Sequence, residues 1–586
     1  LDVRSNTQLG IYYRKAGDYE KAKSHLRKSL VRQTSSYTRP ADGESMYNLG
    51  LILKDEGKYD DAVDTLYRAA WDYEYASAAY YQLAQISVVR GNAAQAVHEA
   101  EMAVAYNGMN IDAKNLLTTL SRKAGESERA AILSGEVLEI DPLNYYASAE
   151  QLALGLISKS EFAKLLRGVS ESYLELALYY LNNGFESDAE AILKDAESVK
   201  SYPTVEYWLG WFADRNGDKD AAAKWFAAAE AGDMDYVFPF RLETVKPLEK
   251  AIEYNPNAVM AWYYLGNLWY QKQPAKAMSC WEKAVELKPD FAMALRNLGW
   301  GCHYFTGELR KGADWYKKAI AADKDGNAIF LTECDEILEQ LNAPLDERYE
   351  IFAGKESLYE KRYDSETRAI KLRILKGEYE QVLDKLLTRF YSRREHIEDL
   401  HDIYVDACML SGFREWKNGN NAKALEYMLM TDEYPANHGY AHLEYYARDA
   451  QVYYNIGMAY EKVGDAAKAR EYYEKAAAVE VKPVDCAYNY EKALAMLKLD
   501  PKANVNQMFR EMLSFGENSV TDYVERFFES FDYGPRPEDV NTKAYYIQGL
   551  AWKALGKESK ARGCFGKALG QWNDNVWANY YLNNIK

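Results

Sequence analysis

The sequence predicts an all-α fold, a right-handed solenoid of stacked helix–turn–helix units, roughly 12–14 of them with the degenerate ones counted. Three observations carry this. Gly57, Gly91 and Gly125 stand 34 residues apart, the period of a two-helix repeat whose units pack side by side. Each of these glycines follows one apolar helical stretch and precedes another. Small residues, Gly50 and Ala62 in the unit at 43–76, fall where two helices must cross closely.

Taken in order, residues 1–145 read as an N-terminal stack. Gly10, Gly17 and Ala22 mark its first unit, followed by Gly50, Gly57 and Ala62, then Ala84, Gly91 and Ala96, then Leu117, Gly125 and Ala130. An insertion near Ser35–Asp42 stretches the first interval to 40 residues. A central stack is expected over 146–345, with irregular joints at 146–169 and 235–248. Within it Ala177, Gly184 and Ala189 continue the pattern, as do Gly210, Gly217 and Ala222. The unit Trp262, Leu265, Gly266, Trp269, Ala277, Trp281, Ala284 and Pro289 is the fullest, and Leu298, Gly299, Gly312 and Tyr316 follow it. Pro239 and Pro247 argue against a continuous helix across 235–248, with helix resuming at Glu249–Tyr254. A C-terminal stack spans 346–586. The pattern is weak to residue 400 apart from a turn at Gly377, and Arg389–Leu400 reads as a charged, solvated run. It is clear again at Gly412, Gly419 and Ala424, and at Gly457, Gly464 and Ala469. It degenerates over 481–540, where Phe527, Phe528 and Phe531 lie near Pro535 and Pro537, and returns at Gly549, Gly556 and Ala561. Asn575–Lys586 reads as an amphipathic helix capping the stack.

Composition bounds the function. With 89 acidic against 72 basic residues the net charge is −17, which argues against nucleic acid, since phosphate binding needs clustered Lys and Arg. No apolar run reaches the ~18 residues of a membrane span. The six cysteines, Cys280, Cys302, Cys334, Cys408, Cys486 and Cys564, form no Cys-x-x-Cys pair. Buried free thiols and a reducing, cytoplasmic setting are therefore expected. The sequence begins at Leu1 with no signal segment ahead of it, so a fragment or processed product is expected.

The unit 262–289 follows the pattern W-x2-L-G-x2-Y … A-x3-F … P, and the chain thereby resembles the tetratricopeptide-repeat family. Further stretches resemble a narrower group: Leu1–Thr7, Asp42-Gly43-Glu44, Ala69-Ala70-Trp71, Phe238–Glu243, Tyr264–Trp269, and Glu433-Tyr434-Pro435 with Asn437. That group is the C-terminal repeat region of large bacterial tetratricopeptide proteins of unknown function, which carry an N-terminal β-sandwich similar to galactose mutarotase. The resemblance implies a carbohydrate context but carries no catalytic residue. Where that group reads Phe-His-x-Trp-Glu-Gly, this chain has Phe390-Tyr391-Ser392-Arg393, so no role passes to that loop.

The first helix of each unit lines the concave face of such a solenoid. Helical spacing sets Tyr47, Tyr81, Tyr207, Trp211, Tyr263, Tyr270, Trp300, Tyr454 and Tyr546 on or near it. Tyrosine joins a flat apolar ring to a hydroxyl, which suits a peptide or a sugar and equally suits interhelical packing. The family's carboxylate clamp would use Arg4 and Asn48, but the next unit offers Ala78 and Gln82 where cations are wanted. His438 and His442, four apart, lack a convincing third metal ligand, Glu444 being the nearest. His396 and His401 are poorly spaced. No nucleophile elbow, phosphate loop or dinucleotide fingerprint is present. The expectation is a non-enzymatic scaffold without cofactor or metal, binding a peptide segment or partner domain on its concave face. Two alternatives stay open: an accessory part of a carbohydrate-linked protein, whose repeats cradle a mutarotase-like domain and whose aromatics contact sugars, and a self-assembly module.

Overall fold

The computed structural model describes residues 2–391, 400–439, 441–524 and 536–584. Regular structure among them is helical throughout, from Val3–Lys15 to Val576–Asn584, without a strand. The solenoid expected from the 34-residue period is thus what forms. Two compact units divide the chain, Leu1–Pro289 and Asp290–Lys586.

The repeat is built from two local devices. At the turn, Gly57 takes φ +74°, a left-handed angle that a Cβ would oppose. This lets the Gly57 amide donate to the Lys54 carbonyl at 2.9 Å and the Lys58 amide to Leu53 at 2.8 Å, which closes the helix end. Gly91 and Gly125 repeat both bonds. In several units the next residue caps the second helix. Asp18, Asn92, Asp218 and Asp465 each accept a backbone N–H three residues on, worth about 1 kcal/mol apiece.

The second device is the crossing inside each pair. A Cβ on Gly50 would lie 2.7 Å from Leu66, and one on Gly266 would lie 2.5 Å from the Trp281 ring. The glycine is therefore a socket for a large side chain about sixteen residues later. The expected Gly50–Ala62 closeness is only part of this, because Leu66 occupies the gap. Ala62, Leu66, Leu83 and Leu26 are fully buried in the same core.

The irregular stretches remain helical with altered lengths. Residues 146–169 form a shortened pair, Tyr145–Ala153 and Lys159–Leu166, ended by left-handed Arg167 and Gly168. Over 235–248 one expectation is corrected. The non-repeat loop runs into a 3-10 turn at Leu242–Thr244, and the helix then starts at Val245 rather than Glu249. Pro247 sits in the first turn of that helix, where no intrahelical partner awaits its missing N–H. Gly377 turns at φ +83° as expected. In 481–540 a 3-10 stretch, Pro483–Tyr488, leads into Asn489–Leu499 and Asn506–Ser519. The charged run at Arg393, Arg394, Glu395, His396, Glu398 and Asp399, and the aromatics Phe527, Phe528 and Phe531, lie outside the described residues. All six cysteines are buried and unpaired with one another. No helix among the described residues is long and apolar enough to cross a membrane.

Candidate functional site

In the first unit the superhelix returns to its own start. The carbonyl of Ala16 accepts from Nε2 of Gln273 at 3.0 Å, across 257 residues. Gly17 abuts Leu242 and Trp269, each 3.2 Å from its Cβ position. The first helices of successive pairs therefore face inward round a lumen. Part of that lumen is filled by polar side chains that satisfy one another. Glu150, fully buried, accepts from Arg122 Nε at 2.6 Å, Thr119 Oγ1 at 2.9 Å and the Tyr180 hydroxyl at 2.6 Å. Tyr146 stacks on Tyr180 with ring centres 4.1 Å apart. Tyr81 and Gln85 both donate to Asn183 Oδ1, at 2.9 and 2.8 Å.

Two cavities remain open beside this plug, of about 680 and 960 Å³. They share Lys54, Asp55, Asn182, Glu243 and Lys246. The smaller is lined besides by Arg14, Lys15, Tyr19, Tyr81, Phe240 and Lys272. The Lys54 ammonium donates to Gln82 Oε1 at 2.6 Å and to Gln85. Burial holds its pKa down to about 8. Desolvation also lowers Lys272. Asp55 accepts from the Tyr19 hydroxyl at 3.0 Å and is itself raised by burial.

The second unit fills its lumen differently. Its last helix, Val576–Asn584, lies against Leu400–Lys417 and Glu558–Gln571. Trp577 Nε1 donates to Asp406 at 2.7 Å, Tyr580 stacks on Phe413 at 5.0 Å, and Tyr581 stacks on Phe565 at 5.4 Å. The segment before it is stapled in place. The Asn573 amide donates to Asn342 Oδ1 at 2.7 Å, and Asp574 accepts from Arg348 Nη1 at 3.0 Å. Arg348 also forks onto Asp335 at 2.7 and 3.0 Å. Burial raises Asp574 and lifts Glu491 beneath Tyr581 to about 7. A cavity of about 570 Å³ remains, lined in part by Tyr546, Trp572, Trp577, Lys543 and Asn575.

The nine aromatics expected on the concave face separate into two groups. Tyr81 and Trp211 line the first-unit cavities, Arg215 lying 4.6 Å over the Trp211 ring, and Tyr546 lines the second-unit cavity. The others are found in ring and hydrogen-bond packing. Tyr207 is 1% exposed and donates to Glu230 at 2.6 Å. Tyr47 tilts against Tyr75, buried Tyr263 against Tyr264, Trp300 against Tyr304, and Tyr454 against Tyr473. Tyr270 accepts from Gln271. The clamp pairing of Arg4 and Asn48 does not form. Asn48 is buried, its Oδ1 taken by Arg14 Nε at 3.0 Å and its Nδ2 by the Glu44 carbonyl, while Arg4 is exposed. Gln82 instead receives Lys54. His438 Nε2 bonds the Leu386 carbonyl at 2.7 Å and His442 bonds Asp449 at 3.0 Å, so the two histidines serve separate structural partners. His401, stacked on Tyr434 at 3.9 Å, is pushed down to about 4 by burial.

Sequence reasoning passed over Arg14, Lys15, Lys54, Lys246 and Lys272. A signal for two of them was present, since Arg14 and Lys54 each stand three residues before a turn glycine, Gly17 and Gly57.

Comparison with solved structures finds full-length but distant likeness. The Naa15/Naa10 complex bound to HypK-THB is 14% identical, with 100% of this chain and 96% of that chain covered, at a TM-score of 0.22. The APC/C hetero-tetramer Cut9–Hcn1 is 12% identical, covering 98% and 95%, at 0.23. The P58(IPK) TPR domain is 12% identical, covering 81% and 97%, at 0.20. Family models described as tetratricopeptide repeat match residues 3–70, 174–236 and 450–480. The chain is an all-α repeat protein in which those three stretches match tetratricopeptide-repeat models.

Proposed function

We propose that this protein is a non-enzymatic interaction scaffold whose concave faces bind a segment of a protein partner. One observation carries the reading. The second-unit lumen already accommodates a helix with three aromatic anchors, Trp577, Tyr580 and Tyr581, seated on Phe413, Tyr490, Tyr546 and Phe565. An aromatic concave wall that seats the half-buried rings of one helix of the chain has the chemistry to seat a partner's segment. The first-unit lumen offers such a wall with open space beside it. The test is a photo-crosslinking residue placed at Tyr81 or Trp211, compared with one at exposed Lys159. A partner captured from the lumen positions and not from Lys159 supports the reading. Capture only from Lys159, or turnover of a glycoside or sugar phosphate by the purified chain, would overturn it.

A second reading has its own observation. The 570 Å³ cavity combines the indoles of Trp572 and Trp577 with the Tyr546 ring, Asn575 and Lys543, a mixture of flat faces and hydrogen-bonding groups that suits a sugar. It agrees with the resemblance to bacterial proteins carrying a mutarotase-like domain. Oligosaccharide binding lost in Trp572→Ala would support it, and silence across a broad glycan panel would remove it.

A further inference from the structure

The first-unit lumen gathers cations that outnumber the carboxylates beside them. Arg14, Lys15, Lys54, Lys246 and Lys272 line one cavity. Among the described residues none of their nitrogens lies within 4 Å of a carboxylate oxygen. The chain has 89 acidic residues to 72 basic ones, so pairing partners are abundant elsewhere. Lys23, for example, meets both Glu20 and Glu56, and Arg122 meets Glu150 and Asp188.

The two carboxylates on the cavity wall are engaged by neutral donors. Asp55 accepts from Tyr19 and Glu243 from Asn182 at 3.3 Å. The cations, in turn, are oriented by neutral acceptors. Arg14 is held by Asn48 Oδ1, Lys54 by the amide oxygens of Gln82 and Gln85, and Lys272 by the Leu268 carbonyl at 3.4 Å. Neutral acceptors fix a cation's position without cancelling its charge. Burying an ammonium opposes folding, as the desolvated Lys54 and Lys272 record. A lumen that keeps them anyway is preorganised for an anion. Its form narrows the class of anion. The larger cavity, which shares Lys54 and Lys246, adds Glu56, Glu186 and Glu190 to its wall, whereas Tyr19, Tyr81, Tyr179 and Phe240 interleave the cations of the smaller one. Aromatic walls, and cations spread over the helices Val3–Lys15, Glu44–Asp55 and Val245–Tyr254, suit an extended chain better than a compact polyphosphate.

We infer that the first-unit lumen binds an acidic peptide segment of a partner, its carboxylates set against Arg14, Lys54, Lys246 and Lys272. This rests on the reading of the concave faces as protein-binding surfaces.

The test uses the full chain and a fluorescent peptide of about twelve residues with alternating Glu and Tyr, beside Gln–Tyr and Lys–Tyr counterparts. The Glu peptide is expected to bind, and to weaken roughly tenfold as salt rises from low to above physiological. The Gln and Lys peptides are expected to show no measurable binding. Lys54→Gln and Lys246→Gln should each weaken the Glu peptide at least about fivefold, while Lys159→Gln changes nothing. Because the peptide series needs no variant, a variant that misfolds does not spoil the test. Equal binding of the Glu and Gln peptides overturns the inference. So does preferential binding of inositol hexakisphosphate with no binding of the Glu peptide. A photoreactive Glu peptide separates the two levels. Attachment inside the lumen with indifference to charge defeats only the acidic assignment, whereas attachment outside the lumen defeats the concave-face reading as well.

Discussion

The guanidinium of Arg348 and the carboxylate of Asp574 meet at 3.0 Å across 226 residues of chain, both almost fully buried. Arg348 also holds Asp335 and Glu339, which Arg368 shares, while Lys371 lies 3.3 Å from Asp574. Arg348→Ala leaves Asp335 to Arg368 and Asp574 to Lys371 but removes the guanidinium that joins them, which should cost the second unit about 3 kcal/mol, the low end for a broken buried pair. Calorimetry of the full chain checks this, and loss of less than about 1 kcal/mol would refute the network's role.

Trp577 anchors the helix that fills the second-unit lumen, bonding Asp406 at 2.7 Å. Trp577→Ala should destabilise that unit by about 3 kcal/mol and expose the aromatic wall of Phe413 and Tyr546. An increase in binding of an apolar fluorescent dye, relative to the parent chain, is the expected readout.

The Gly266–Trp281 crossing has no room for a methyl group, the nearest indole atoms being 2.5 Å from the Cβ position. Gly266→Ala should therefore cost about 1–3 kcal/mol through overpacking. Trp281→Leu in the same chain should recover part of that loss, since it empties the space the methyl needs. Strict additivity of the two changes in denaturant titrations would contradict this account.

Lys54 supplies a pH signature. Burial lowers its pKa from 10.5 to about 8 in the folded chain. Between those values the unfolded chain keeps the proton that the folded chain has released. Stability from this group therefore rises with pH over that window, and the full penalty applies below it. The difference between the parent chain and Lys54→Met should change by on the order of 2 kcal/mol from pH 7.5 to 10.5, the variant being the more stable at the lower pH. Acidic-peptide affinity should move the opposite way and fall as pH rises through 8, because the ammonium is lost.

The sequence made the repeat legible because its devices are local. A left-handed turn needs Gly57, and a close crossing needs Gly50, so both leave a residue of fixed type at a fixed interval. The start of the helix at Val245 was obscured by Pro247, which reads as a breaker unless its first-turn position is known. Contacts between distant residues had no such trace. Nothing near Ala16 announces Gln273, and nothing near Arg348 announces Asp574. For the same reason the aromatics were the visible half of the lumen. Tyrosines recur on helical faces, whereas the cations at 14, 15, 54, 246 and 272 become a cluster only once the first unit meets its own beginning.

That meeting has an evolutionary consequence. An open array can gain or lose a repeat at its end and keep working. Between those contacts the first unit cannot, because Ala16 and Gly17 must arrive opposite Gln273, Leu242 and Trp269. One repeat more or fewer would carry the docking surfaces past each other by a full step of the superhelix. Insertions in this unit should therefore be tolerated in loops such as 35–42 and 233–241, and a whole repeat added between the contacts should not be.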